Sequence, residues 1–463
     1  MAFSSPAFVF VFLPVVFLLY RLIPWHKGKN LLLLLFSLIF YSAGSLVHLP
    51  LLLGVALVNY LAGLWFRGRR QGNRVVLILT LILNLGALAA FKYLDFFAGT
   101  LNDVFGFGLP LPGLVLPIGI SFFTFQGLSY AIDTYRDPDS GTRNFLEALL
   151  YLSFFPQLIA GPIVKYHDVA QQIRSRSTTA EDSALGLRRF LVGLSKKLLL
   201  ADILALAVDK IYGQAAVNDV RLSALAMICY CLQIYFDFSG YSDMAIGMGR
   251  MFGFRFHENF NYPYCASSIR EFWRRWHISL SSWFRDYVYF PLGGSRCSKI
   301  RRTMNIMVVW MLTGLWHGAS WNFVLWGVFF GIILMIEKAF FDYNGKKNFN
   351  SILGWAYCFI IVNISWVLFH IEDFSFLHKV FHRMFCWSST DWTRLMAENS
   401  DIVQTVGLLP IAFILSLPTL NKLWTSKNRY VVLLRDLAAV VAFLLCFVYI
   451  ISSSFHPFIY FRF

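Results

Sequence analysis

The sequence predicts an all-α polytopic membrane protein of about 10–12 transmembrane helices, with short, broken or re-entrant helices around a central chamber. Three observations predict it. Of 463 residues, 58% are hydrophobic and 14% charged, against about 45–50% and about 25% in soluble domains. Runs such as "LVHLPLLLGVALVNYLAGLWF" and "VVLILTLILNLGALAAF" approach or reach the roughly 20 apolar residues that cross a bilayer core. Lysine and arginine gather in the short segments between such runs, as the positive-inside rule requires. The short alternating strands of a transmembrane barrel are not seen. The net charge of +15 is therefore read as loop charge, and no nucleic-acid-binding module accompanies it.

The elements follow in chain order, as one membrane domain over 1–463. Residues 3–22 are apolar without a basic start or a small-residue cleavage site, so they read as a first span rather than a leader. Arg21, Lys27 and Lys29 follow it, and Arg67, Arg69, Arg70 and Arg74 follow the third span; the intervening loop near Ser45 has no cation. That alternation places the N-terminus outside the cell and closes the N-terminal spans at 133. The loop "DTYRDPDSGTRN" returns to the cytoplasm.

Simple alternation then fails. The run 145–164 contains Pro156, Gly161 and Pro162 and is flanked by cations at both ends, so it reads as a broken helix that enters and leaves on one side. Such backbone persists at membrane depth only when buried in protein or lining a wet cavity. It opens a catalytic core at 145–336. From Thr303 to Gly314 is a stretch of about 18 Å as helix, short of a core of about 30 Å, which puts His317 near a bend between two short helices; two full spans crowded together are the other reading. Residues 342–351 read as a polar linker, 352–463 as C-terminal spans, and 372–401 as an external loop.

Ionisable groups at membrane depth are costly and point to function by default. His317 stands between Trp316 and Gly318, with Trp310, Trp321 and Trp326 expected to wall it; its imidazole titrates near neutrality and suits a general base. The competing reading is a purely structural histidine. Asp237 and Asp243 lie in the apolar span 234–250, either paired with a buried cation or orienting a polar substrate path. In 267–294, Ile269, Phe272, Trp273, Trp276, Leu280, Trp283, Phe284 and Tyr287 form one helical stripe. Arg270, Arg274, His277, Ser281 and Arg285 flank it. An interfacial helix at about 267–290 is expected at the cytoplasmic surface, its arginines meeting lipid or a phosphate-rich ligand. The cysteines are scattered without metal-ligand company, and no Walker, GxGxxG, GxSxG or HExxH motif is present.

Three long stretches in order, "YFDFSGYSDMAIGMGRMFGFRFHENFNYPY", "SSIREFWRRWHISLSSWFRDYVYFPLGG" and "LTGLWHGASWNFVLWG", resemble the membrane-bound O-acyltransferase family. Within it they are similar to the branch of the alginate O-acetyltransferase membrane subunit, as is the ending "HPFIYFRF". The match covers about 235–331. It implies that His317 is catalytic, as general base or as the nucleophile that carries the acyl group, and that His277 is the second polar residue of the reaction chamber. From the residues themselves, Arg270, Arg274, Arg285, Asp237, Asp243, Ser281 and Asn322 are expected toward the donor and substrate.

The implied function is acetyl transfer from a cytosolic donor across a bacterial inner membrane, for O-acetylation of an exopolysaccharide. Acetyl-CoA or another acyl thioester is the donor substrate, no cofactor or metal is bound, and an acyl carrier protein is an alternative source. Partners implied are membrane lipid, an external SGNH-hydrolase-like acetyltransferase and a polysaccharide synthesis complex. D-alanyl or other acyl transfer to a cell-wall polymer is the alternative within the family. From other classes, a transporter would also use broken helices and buried charge, and a scaffold of a synthase complex would not need His317.

Overall fold

A computed structural model describes residues 1–67, 73–213, 220–340, 351–384, 393, 400–420, 426, 428–452 and 458. Arg69, Arg70, the linker before Ser351 and all of the terminal motif except Phe458 lie outside the described residues. Every regular element among the described residues is helical, so the all-α, multi-pass class holds. Among the described residues, six helical stretches are long and apolar enough to cross a membrane: His26–Phe66, Asn73–Phe105, Val220–Met251, Trp321–Phe340, Ile352–His370 and Arg429–Ser452. Others expected as spans fall short by length, such as the 17-residue Ile120–Arg136.

The chain forms two compact units that exchange segments along the sequence. The first comprises Met1–Phe190, Tyr241–Glu258 and Arg285–Val288. It holds helices α1 (Leu13–Leu22), α2 (His26–Ser45), α3 (Leu49–Phe66), α4 (Asn73–Leu88), α5 (Leu94–Phe105), α6 (Ile120–Arg136), α7 (Phe145–Ser153), α8 (Phe155–Leu158), α9 (Tyr166–Arg174) and most of α10 (Ala180–Ser195). Helix α4 shows what solvent it is built for. It buries Thr80 and Asn84 but exposes Val75, Ile78, Leu79, Ile82, Leu83 and Leu85. Polar inside and apolar outside is stable against lipid, where hydrogen bonds between helices replace the missing water. Asn59 on α3 donates to Asn84 Oδ1 at 2.9 Å.

The broken element expected at 145–164 is present. Helix α7 has nine residues and α8 four, after which the chain is irregular to Lys165. At 1.5 Å per residue, α7 rises only about 13 Å. The chain then doubles back, because the Tyr151 hydroxyl donates to Val164 O at 2.9 Å. Side chains satisfy the backbone freed by the break: Gln157 donates to Tyr151 O at 2.6 Å, and Phe155 N donates to Ser37 Oγ at 3.1 Å. Gly161 is required here, since a Cβ would stand 2.7 Å from Pro156 O.

The second unit comprises Leu191–Gly240, Asn259–Phe284 and Tyr289–Phe463. Its elements are the end of α10, α11 (Asp202–Gly213), most of α12 (Val220–Met251), α13 (Ile269–Arg275), α14 (Ile278–Phe284), α15 (Lys299–His317), α16 (Trp321–Phe340), α17 (Ser351–His370), α18 (Phe374–Arg383), α19 (Ser400–Leu415) and α20 (Arg429–Ser452). Two expectations change here. The bend at His317 joins helices of 19 and 20 residues, not two short ones. Gly314 marks close packing rather than a helix end: a Cβ on it would meet Phe323 O at 2.2 Å, and one on Gly327 would meet Trp310 O at 2.3 Å. The stretch 372–401, expected as an external loop, contains a helix, α18, within its described residues. Asp373 caps it by accepting from Ser375 N at 2.7 Å, and it buries Leu377 and Val380 against Val367 and Ile371.

The interfacial stretch needs correction as well. It is not one helix: α13 ends at Arg275, α14 begins at Ile278, and His277 between them has φ of 45°. That left-handed conformation is uncommon for a residue with a Cβ, although histidine tolerates it better than most. The aromatic stripe is real, but its residues are buried in protein. A period of 3.6 survives a short break when the second helix resumes in phase, so periodicity alone did not expose it.

Candidate active site

His317 is the last residue of α15, where the final carbonyls of a helix lack partners along the chain. Its Nδ1 lies 2.7 Å from Thr313 O. A carbonyl can only accept, so Nδ1 carries the proton and Nε2 the lone pair. The ring is 4% exposed. Trp316, Trp326 and Phe369 surround it at centroid distances of 4.9, 5.0 and 5.4 Å. Of the expected wall, Trp316 and Trp326 are in place. Trp310 instead packs on Trp273 at 4.7 Å, and Trp321 is 46% exposed. Phe369, 52 positions further along the chain, was not foreseen.

His277 is 1% exposed. Its ring packs edge-on against Phe238 of α12 at 4.6 Å and against Trp316 at 5.8 Å. Trp316 thus packs beside both imidazoles. The break that carries His277 is stitched by the segment before it. Asn261 N donates to Arg275 O at 2.9 Å, closing the end of α13, and Ile278 N donates to Asn259 O at 3.0 Å. Asn259 Oδ1 accepts from Ser279 N at 3.1 Å, serving α14 as a cap from outside the helix. The start of α13 is capped by Glu337 of α16, fully buried, whose carboxylate accepts from Ile269 N at 2.6 Å and Arg270 N at 3.1 Å. Both Asn259 and Glu337 escaped sequence reading. Asn259 stood inside a motif whose candidates were the carboxylates Asp237 and Asp243, and Glu337 carried no spacing signal.

The remaining expected residues divide. On α13, Arg274 is exposed and Arg270 half-buried; Ser281 of α14 is exposed. Arg285, in the other unit, is exposed and bonded to its neighbour Asp286 at 2.8 Å. The two span carboxylates have cationic partners. Asp237 meets Lys197 at 2.6 Å, and Lys197 also holds Asp202 at 2.7 Å, with all three side chains at most 3% exposed. Asp243 accepts from Arg189 at 2.8 and 3.0 Å. Asn322 donates to Phe369 O at 3.2 Å and ties the start of α16 to the end of α17. Asp237 and Asp243 thus have the cationic partners that one of their two readings expected, and Asn322 bonds between two helices. No group of three or more His, Cys, Asp or Glu side chains that could hold a metal ion occurs among the described residues.

Chemically, the arrangement offers two buried imidazoles whose Nδ1 atoms face oxygens, one of them with a lone pair fixed on Nε2. Comparison with known proteins agrees with that chemistry. The model of the MBOAT, membrane-bound O-acyltransferase, family matches residues 119–381. A probable alginate O-acetylase AlgI of Pseudomonas aeruginosa is 41% identical over 423 residues, covering 89% of this chain and 80% of the relative. A peptidoglycan O-acetyltransferase of Helicobacter pylori is 33% identical, covering 100% of this chain and 97% of the relative. A teichoic acid D-alanyltransferase of Bacillus subtilis is 29% identical, over 58% of this chain and 69% of the relative. With the family model spanning more than half the chain and both histidines inside the match, the protein belongs to the membrane-bound O-acyltransferase family and is a multi-pass O-acyltransferase.

Proposed function

We propose that this enzyme O-acetylates a polysaccharide outside the bacterial inner membrane, drawing the acetyl group from a cytosolic thioester, with acetyl-CoA as donor. The observation that carries the reading is the His317 ring, buried among aromatic side chains with its Nδ1–H committed to Thr313 O. Nε2 then takes the proton of an acceptor hydroxyl as that oxygen attacks the thioester carbonyl carbon. The C–O bond forms, the C–S bond breaks, and the proton passes from Nε2 to the departing thiolate. Position favours the charge that develops, since the C-terminal end of a helix stabilises a cation by about 0.3–1 kcal/mol. Trp316, Trp326 and Phe369 keep bulk water from the thioester. His277, beside Trp316, is the second polar group of the chamber.

The donor's phosphates dock on arginine, whose planar fork suits them. Arg270, Arg274 and Ser281 of the second unit are assigned to that donor. The polysaccharide reading rests on the names of the two acetyltransferase relatives, and an external SGNH-hydrolase-like partner completes transfer to the polymer. The N-terminus lies outside.

The test uses the purified protein in sealed vesicles with labelled acetyl-CoA on one side only and a soluble oligosaccharide acceptor, with the partner, on the other. Label should appear on the acceptor across the membrane. Label recovered only as acetate, or only on the donor side, would overturn transfer across the bilayer.

A further inference from the structure

We infer that Asn259 is a positioning residue that sets the His277 tautomer, so that both histidines present Nε2 as their unprotonated nitrogen. The inference rests on the proposed role of His277 in acyl transfer and adds what that role does not specify, namely which nitrogen faces the chamber and what chooses it.

Ser279 N–H lies 3.1 Å from the Asn259 side chain. A backbone N–H can only donate, so the atom facing it is the amide oxygen and not the amide nitrogen. The Ser279 hydroxyl lies 2.8 Å from the same oxygen and donates its single proton there. His277 Nδ1 then faces two oxygens, Asn259 Oδ1 at 3.2 Å and Ser279 Oγ at 3.4 Å. The first is an acceptor by nature, and the second has already given its proton to the shorter bond. Either can receive a proton from Nδ1 and neither has one to offer, so Nδ1 bears the hydrogen and Nε2 is left with the lone pair.

The backbone supports the same end. His277 is held at φ of 45°, and the Asn259 peptide oxygen accepts from Ile278 N immediately after it. One residue therefore fixes both the direction of the side chain and its protonation pattern. Phe238 and Trp316 close the ring faces. His317 reaches the same tautomer by a different partner, the Thr313 carbonyl of its own helix. Two imidazoles beside Trp316, each with an unprotonated Nε2, suit a proton taken from the acceptor at one and a hydroxyl or thiol hydrogen held at the other. The other tautomer at His277 would make it a donor at Nε2.

The experiment is nitrogen NMR of the full-length protein, labelled with ¹⁵N-histidine and reconstituted in lipid at a pH where the ring is neutral. The His277 signals are assigned by their loss in His277→Ala. Wild type should show a protonated Nδ1 and an unprotonated Nε2 at His277. Asn259→Ala should give a mixture of tautomers and lower kcat with KM for acetyl-CoA little changed, and Asn259→Asp, which keeps an acceptor oxygen there, should keep Nδ1 protonated. A wild-type His277 protonated on Nε2, or an Asn259→Ala protein that keeps Nδ1–H alone, would overturn the inference. The parent reading fails separately: His277→Ala at the wild-type transfer rate would remove His277 from the reaction whatever its tautomer. The wild-type spectrum decides the assignment even where Asn259→Ala does not accumulate.

Discussion

His167 in the first unit and His317 in the second are the same side chain in opposite settings. His167 stands at the start of α9, half-exposed, with Nδ1 3.0 Å from Asp133 and Nε2 3.1 Å from Asp168. Hydrogen bonds to Asp133 and then Asp168 raise its pKa to about 10, so it is a fixed cation at neutral pH. His317 is buried among aromatic rings and its Nδ1 faces a peptide carbonyl. Carboxylates on both nitrogens hold a charge and leave nothing to react. A neutral oxygen on one nitrogen selects a tautomer and leaves the other nitrogen unprotonated. Neighbours, more than the residue type, decide which histidine can do proton chemistry.

That contrast breaks most readily where charge enters the buried unit. Lys197 is held between Asp202 and Asp237, one residue before the Phe238 that packs on His277. Lys197→Ala leaves two buried carboxylates without their cation, and removing one partner of a buried pair costs about 3–5 kcal/mol. Thermal unfolding of purified protein should show a large loss; a melting temperature near wild type would mean that charge is not what holds α12 there. Gly314→Ala tests packing instead. The new Cβ would meet Phe323 backbone, and overpacking of this kind costs about 1–3 kcal/mol. Unfolding measurements should register it, and a silent substitution would show that the α15–α16 contact is slack.

Smaller effects sharpen the comparison. Arg270→Ala with Arg274→Ala should raise KM for acetyl-CoA several-fold, at about constant kcat, because phosphate contacts remote from the thioester bind ground and transition states alike. Kinetics with a fall in kcat alone would contradict that docking face. His167 should contribute least, since its side chain is 52% exposed and solvent weakens such pairs. Its folded pKa lies above the ordinary 6.5, so its stabilisation is complete below about 6.5 and is lost as pH rises through about 10. His167→Gln should therefore flatten the decline of stability between pH 7 and 10.5. An unchanged slope would remove the ion pairs as its cause.

Composition and loop charge made the membrane class legible, because lipid imposes apolar surfaces that any long run reveals. Pro156 and Pro162 pointed to the broken element because proline lacks the backbone N–H and clashes within a helix interior. Gly314 misled, since a glycine that permits close approach looks in sequence like one that ends a helix. His317 and His277 were legible as candidates from their apolar surroundings and the motifs that hold them. Their partners were not. Thr313 acts through its carbonyl, which any residue could supply, and Asn259 acts from 18 positions before His277 across a break that periodicity did not register. Phe369 reaches the site only through tertiary packing.

The most direct measurement compares initial rates of acetyl transfer by His317→Ala and His167→Ala in the same lipid vesicles, after equal accumulation and unfolding temperature have been verified. Loss of a general base lowers rate by about 10²–10⁴-fold, so His317→Ala should fall by that much while His167→Ala stays within a few-fold of wild type. Near-normal transfer by His317→Ala, or an equal fall in both variants, would contradict the assignment of proton transfer to the histidine at the end of α15.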